Sequence, residues 1–333
     1  YQHYGLWVSS QCPFISFDEE VQTITKEISS EGKIFFSVKT SKGSYQTRHV
    51  VLGVGSVPTL PSFSCGIDHQ SEEEFHTSRF LNYRPHIIKD QQHMLIVGAG
   101  QSAAECVLSL LNERNPHLKM TWVTQGDGFF PMEYSKLGLE HFSPEATSAF
   151  FHTDAQKKDE VLKRSGLLYK GMSVETIAQI YDHLYERTIG GVDSPLRLRP
   201  MTGVVDVIRE DGQKVVVLKH QRKDKSEHVK VDKIIWGTGY NYPHYSFMDN
   251  LQQDLKKDDQ DRWVINEHYQ LEFLNPPNPQ SDASVYIQNG EMHTHGVGAP
   301  DLGLGAYRSA KILNHVMKTE IFSIREKNVF QQF

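Results

Sequence analysis

Apolar and polar positions change period along this chain, and the changes mark its elements. An alternating stretch at Val21–Ile28 precedes extended segments at Lys33–Lys39 and Tyr45–Val51, which flank a Ser41-Lys42-Gly43-Ser44 turn. That pattern predicts a β-meander. The chain then reads as a buried strand at Val50–Val54 ending in a glycine turn and Pro58, and Pro61–Arg84 reads as loop, its acidic run Ser71-Glu72-Glu73-Glu74 most simply a solvated turn or helix start. Met94–Val97 is a strand feeding a glycine turn and a helical pattern, and Lys119–Val123 is a second strand, followed by a Phe129-Phe130-Pro131-Met132 loop. From Ser143 to about Arg187 the period is helical, with Val174, Ile177, Ile180, Tyr181 and Leu184 on one predicted face. Met201–Val207 and Val215–Lys219 form a hairpin around Glu210-Asp211-Gly212, and the buried strand Lys233–Trp236 opens into Gly237-Thr238-Gly239-Tyr240. Val285–Ile287 and a helix from about Gly305 to Met317 follow. Tyr1–Gln11 reads as the end of an amphipathic helix already under way, so residues are expected upstream of Tyr1.

The strand–turn–helix at Met94–Glu105 carries the chemistry. Gly98 permits the tight turn, and Gly100 lets backbone approach a phosphate with no side chain in the way. Ala103, in the slot of a third glycine, allows helix and strand to pack closely. A dinucleotide's pyrophosphate sits on such a helix N-terminus. Strands ending in glycine turns on both sides of this unit, with meander inserts, predict an α/β protein of two nested, doubly wound nucleotide domains.

Composition narrows the options. The 333 residues exceed one ordinary core, so two domains are expected. With 38% hydrophobic and 23% charged residues the chain reads as globular, and a net charge of −6 disfavours a nucleic-acid or anionic-membrane surface. No apolar run approaches the roughly 20 residues that span a bilayer. Cys12, Cys65 and Cys106 are odd in number and far apart, as expected of reduced thiols in a cytoplasmic protein. Glu291, His293 and His295 alternate as strand residues on one face would, but a metal site needs further ligands, and none is assigned.

The motifs, in order, are Leu52-Gly53-Val54-Gly55 with Pro58 and Pro61, Phe75-His76-Thr77-Ser78, Gly98–Glu105, Phe129–Met132 and Phe142-Ser143-Pro144-Glu145. Gly237–Tyr240, His293-Thr294-His295-Gly296 and Ala306-Tyr307-Arg308 complete the set. In this order the chain resembles the N-hydroxylating flavin monooxygenases of siderophore biosynthesis, the group of lysine, ornithine and diamine N-hydroxylases. The resemblance implies FAD reduced by NADPH, reaction with O2 to a C4a-hydroperoxyflavin, and oxygen transfer to a deprotonated primary amine. It assigns residues 1–84 and 231–333 to an FAD domain and 85–230 to an NADPH domain, with a helical substrate segment at about 138–190. The family's N-terminal FAD glycine motif has no counterpart before Gly53 and is expected upstream. A homodimer or homotetramer is also implied.

By position, Gly98, Gly100, Gln101, Ser102, Ala103 and Thr238 would hold NADPH, with Gln101 near the nicotinamide–flavin contact. His295, Gly296 and Leu302 would lie near the flavin ring, and no catalytic side chain is needed beyond the flavin. Gln125 stands where the family often carries an arginine for the 2′-phosphate; it can hydrogen-bond but adds no charge. Ornithine hydroxylases hold the substrate with two asparagines whose positions here are Leu139 and Leu168, and Gly303 replaces a serine. Leucines cannot pair an α-carboxylate, which disfavours ornithine and favours putrescine, cadaverine, histamine or a differently held L-lysine. The competing reading of both leucines is ordinary packing in a helical lid. Rival functions are a Baeyer–Villiger or sulfur-oxidising flavin monooxygenase and a non-catalytic NADP-binding sensor.

Overall fold

The computed structural model describes residues 2–64, 71–88, 92–113, 115–223, 225–275, 282–325 and 327–333. Cys65 lies outside them. The chain divides into two compact units, one of residues 1–55, 243–295 and 299–327, the other of 56–242, 296–298 and 328–333. The divisions fall at Gly55/Ser56 and Tyr242/Pro243, inside the segments 1–84 and 231–333 expected from sequence.

The larger unit is built on a five-stranded parallel sheet in the order Glu74–His76, Lys233–Trp236, His93–Val97, Lys119–Val123, Leu196–Arg199. Its central strands are largely apolar because both faces are covered. Side chains alternate between those faces: Met94, Ile96, Trp122 and Ile235 pack with Ala103, Ala104, Val107, Leu110 and Leu111 of the helix Gln101–Asn112. Leu95, Val123, Ile234 and Trp236 pack instead against Val204, Val216, Leu218 and Val231. Those four belong to an antiparallel meander, Thr202–Glu210, Gln213–His220 and Ser226–Val231, whose first turn places Asp211 and Gly212 at φ 49° and 79°. Both central residues at positive φ make the turn that matches strand twist.

The smaller unit holds the meander Val21–Ile28, Ile34–Thr40, Ser44–Thr47 and a parallel pair, His49–Leu52 with Ser284–Ile287. Ile24, Phe36, Leu52, Leu251, Leu271 and Val285 form its core. The helix Gly305–Met317 lies at the predicted place.

Several expectations are corrected. Tyr45–Val51 is not one strand: residues 44–47 pair with the meander and 49–52 with Ser284–Ile287. Val51 and Val54, placed in a buried strand, are about half exposed. The stretch Pro61–Arg84 contains the buried strand Glu74–His76 and the start of a helix, Phe80–Ile87. The acidic run is not simply solvated, because Glu74 is buried and accepts from Trp236 Nε1 at 3.1 Å. On the helix Val174–Thr188, Ile177, Ile180 and Leu184 face the core while Val174 and Tyr181 are exposed. The helix Gln2–Gln11 buries no residue, so it is not amphipathic in use. No helix among the described residues is long and apolar enough to cross a membrane.

Candidate active site

The glycine turn sits at the carboxyl end of the sheet, where open parallel sheets bind ligands. Gly98 adopts φ 107°, and its N–H donates to Val123 O at 2.9 Å. A Cβ there would stand 2.1 Å from Gly237 O, and one on Gly237 would stand 2.7 Å from the Ala103 Cβ. Gly98, Ala103 and Gly237 are thus mutually close, and only small residues fit. Gly100 differs: nothing lies within 4 Å of the Cβ it lacks, and no side chain caps the helix it begins. Uncapped first-turn N–H groups beside open space make a cradle for a phosphate. The residues present therefore fit the pyrophosphate of NADPH.

Around this cradle the side chains are tied down. Gln101 does not project freely: its Oε1 accepts from Ser173 N at 2.7 Å, and its Nε2 donates to Thr176 Oγ1 at 3.1 Å and Glu105 at 2.9 Å. It thereby joins the starts of the helices Gln101–Asn112 and Val174–Thr188. Thr238 Oγ1 donates to Thr59 O, and Thr59 N donates to Gly239 O at 2.9 Å. His76 supports the same turn. Its Nδ1 accepts from Ser78 N at 3.1 Å, which leaves Nε2 protonated to donate to Gly239 O at 3.1 Å. Burial holds the His76 pKa below the ordinary histidine value, so the ring is neutral. Trp122 Nε1 donates to Gly98 O at 2.6 Å, and its ring lies 4.4 Å from that of Phe129. His76 and Trp122 were not assigned from sequence; the only signal was the Phe75–Ser78 motif for the first. Gln125 packs its amide against Gly203, so that a Cβ there would meet Nε2 at 2.9 Å.

The helical segment comprises Pro144–Phe151, Ala155–Arg164 and Val174–Thr188, with single 3-10 turns at Gly138–Phe142 and Ser165–Leu168. The two leucines differ: Leu168 is 8% exposed, a packing position, whereas Leu139 is 45% exposed. Gly296, at φ 82°, would bring a Cβ to 3.0 Å from Phe150 Cγ, so this glycine meets the helical segment at close range. Residues 328–333 strap the same segment. Phe330 N and Gln331 N donate to the Glu140 carboxylate at 3.0 and 2.9 Å, and the Phe333 ring lies 5.0 Å from His141.

The remaining candidates belong to the smaller unit. His295 is buried with its ring stacked 4.1 Å from Tyr269, and its Nδ1 pairs with Thr294 Oγ1 at 2.8 Å. Leu302 is 68% exposed, and Gly303 keeps space for Asp301 Oδ1, 2.8 Å from where a Cβ would be. Residues Met292–His295 form a helical turn rather than a strand, so Glu291, His293 and His295 do not alternate on one face as expected. His293 Nε2 instead meets Trp263 O at 2.9 Å. For FAD, the turn after the strand His49–Leu52 offers a second cradle: nothing lies within 4 Å of a Cβ on Gly53 or Gly55. The open turn leaves room for a nucleotide to approach the backbone.

Residues 1–242 match the family model described as L-lysine 6-monooxygenase/L-ornithine 5-monooxygenase. The chain is 35% identical over 348 residues to the rhizobactin siderophore biosynthesis protein RhbE of Rhizobium meliloti, covering 100% of this chain and 74% of that one. It is 29% identical over 339 residues to putrescine N-hydroxylase of Shewanella oneidensis, covering 100% and 65%. Among solved structures it is similar to DfoA bound to FAD, the cadaverine monooxygenase of the desferrioxamine pathway in Erwinia amylovora, with a TM-score of 0.88 and 26% identity over 100% of this chain and 76% of that one.

Proposed function

Because the chain belongs to the L-lysine 6-monooxygenase/L-ornithine 5-monooxygenase family, we propose that it is the greater part of an FAD- and NADPH-dependent N-hydroxylase of a small aliphatic diamine in hydroxamate siderophore biosynthesis. The balanced reaction consumes the amine, O2, NADPH and a proton, and yields the hydroxylamine, NADP+ and water. FAD, when bound, supplies the redox and oxygen-transfer chemistry. The chain's own residues bind, orient and exclude water.

NADPH is assigned to the larger unit, with its pyrophosphate on the Gly98–Ser102 turn, and FAD to the smaller one. In the larger unit the Gln101 amide fixes the helical segment to the start of the NADPH helix. Thr238 and His76 hold the Gly237–Tyr240 turn.

The choice of a diamine rests on Leu139 and Leu168 standing where ornithine hydroxylases carry asparagines: neither leucine offers a donor, and an α-carboxylate left unpaired in a dry pocket would be costly. RhbE belongs by its name to a siderophore pathway, and the two other relatives act on putrescine and cadaverine. They support this reading over a Baeyer–Villiger or sulfur oxidation and over a non-catalytic sensor. A cytoplasmic homodimer or homotetramer completes the proposal.

The test supplies the full-length protein with FAD and NADPH, offers putrescine, cadaverine, histamine, lysine and ornithine, and measures hydroxylamine against peroxide. Putrescine or cadaverine is expected to give hydroxylamine with ornithine inert. Ornithine as best substrate would overturn the amine assignment, and NADPH oxidation with no amine coupled to it would overturn the hydroxylase reading.

A further inference from the structure

A buried ion pair lies at the foot of the helix Gly305–Met317, in the smaller unit. Arg308 is 3% exposed and Glu291 fully buried, with Arg308 Nε 3.8 Å from Glu291 Oε1. Two charges removed from water cost free energy that a single contact of this length does not repay. The rest of the guanidinium shows what it does. One Nη donates to Ala299 O at 2.5 Å, and the other to Asn289 Oδ1 at 3.1 Å. Asn289 sits at φ 64°, an uncommon conformation for a residue with a side chain. Glu291 Oε2 accepts from Gly290 N at 2.7 Å, and the Glu291 carbonyl accepts from the N–H groups of Thr294 and His295 at 2.9 and 2.8 Å. The fork therefore grips residues 289 and 299, and Glu291 both holds the fork and begins the turn between them.

We propose that Arg308 and Glu291 are positioning residues that hold Asn289 and Ala299 and start the turn between them, and so set where His295 stands. The inference rests on the functional reading above, with His295 near the flavin ring as the family resemblance implies. Arg308 and Glu291 act through the segment, whose His295 ring is clamped against Tyr269. A planar fork with fixed donor geometry can serve Ala299, Asn289 and Glu291 together, whereas a lysine ammonium on a flexible stem cannot.

The test compares wild type, Arg308→Lys, the near-isosteric Glu291→Gln and, as a control, Leu251→Ala, which empties part of the same unit's core. Full-length protein is used throughout. Amide exchange of residues 289–299 is measured without FAD, then the FAD dissociation constant, the flavin absorption spectrum and the hydroxylamine-to-peroxide ratio. Arg308→Lys is expected to speed exchange in 289–299 about tenfold, weaken FAD about tenfold and shift product toward peroxide, with Glu291→Gln following more weakly. Leu251→Ala is expected to lower Tm without moving the spectrum or the product ratio. If both variants only lower Tm as the control does, the positioning role is overturned while the hydroxylase reading stands. A wild-type protein that neither retains FAD nor consumes NADPH overturns both.

Discussion

Two glycines one residue apart in the same turn have opposite reasons for being glycine. Gly98 is held by its own fold, since φ 107° and a carbonyl 2.1 Å from any Cβ leave no room. Gly100 has ordinary backbone angles, φ −91° and ψ 171°, and open space around it. Gly98→Ala is therefore expected to cost on the order of 1–3 kcal/mol or more in urea unfolding. Gly100→Ala should leave stability unchanged or raise it slightly, because the unfolded chain loses freedom. Yet it should weaken NADP+ at least about tenfold, because the methyl stands where the phosphates approach. Titration of both variants with NADP+ alongside unfolding separates the roles. Equal losses of stability in the two would contradict the assignment of the open cradle.

Helix starts connect the two parts of the larger unit. Ser173 Oγ accepts from Thr176 N at 3.1 Å, capping Val174–Thr188, while its own N–H is taken by Gln101. Ser173→Ala should lower stability by about 1 kcal/mol, read as a shift in the urea midpoint at constant slope. Such polar joints explain which elements were legible in the sequence. Strands that are mostly apolar, Lys119–Val123 and Lys233–Trp236, lie where the pattern puts them, as does the Gly305–Met317 helix. Glu74–His76 escaped because a three-residue strand with a carboxylate and an imidazole carries no apolar signal. Its burial depends on Trp236 and Gly239, more than a hundred residues away. The helix face of Val174 and Tyr181 was misread for a related reason: Thr176 turns inward because Gln101 and Ser173 satisfy its hydroxyl. In the site, the Gly98 turn was legible because its backbone angle and the Gly237 carbonyl demand glycine. The grip of Arg308 on Asn289 and Ala299 was not, because no spacing rule links those positions.

Across the described residues of the molecule, burial sets the pH response. His49, His76, His93, His268 and His315 all have pKa values lowered, chiefly by burial. Each binds a proton more readily unfolded than folded, so its contribution is full above the ordinary value of 6.5 and is lost as pH falls through the lowered folded value. Glu291 works the other way. Burial outweighs the attraction of Arg308 and pushes its carboxyl up to about 7, so its contribution is full below 4.5 and lost as pH rises through about 7. Five imidazoles against one carboxyl predict a lower Tm at about pH 5.5 than at about pH 7.5. Glu291→Gln should make that drop larger, since the opposing group is gone; a Tm that rises on acidification would contradict the balance.

The division of the chain also orders events during its synthesis. Residues 56–242 make up nearly all of the larger unit and are contiguous, so its sheet can close while the ribosome is still working. The smaller unit cannot follow suit: His49–Leu52 needs Ser284–Ile287 as its partner, so that strand has to wait for a segment made more than two hundred residues later. A nascent chain stalled before Pro243 would thus present one finished nucleotide fold and one exposed strand edge, which makes the early segment the one that a chaperone has reason to meet.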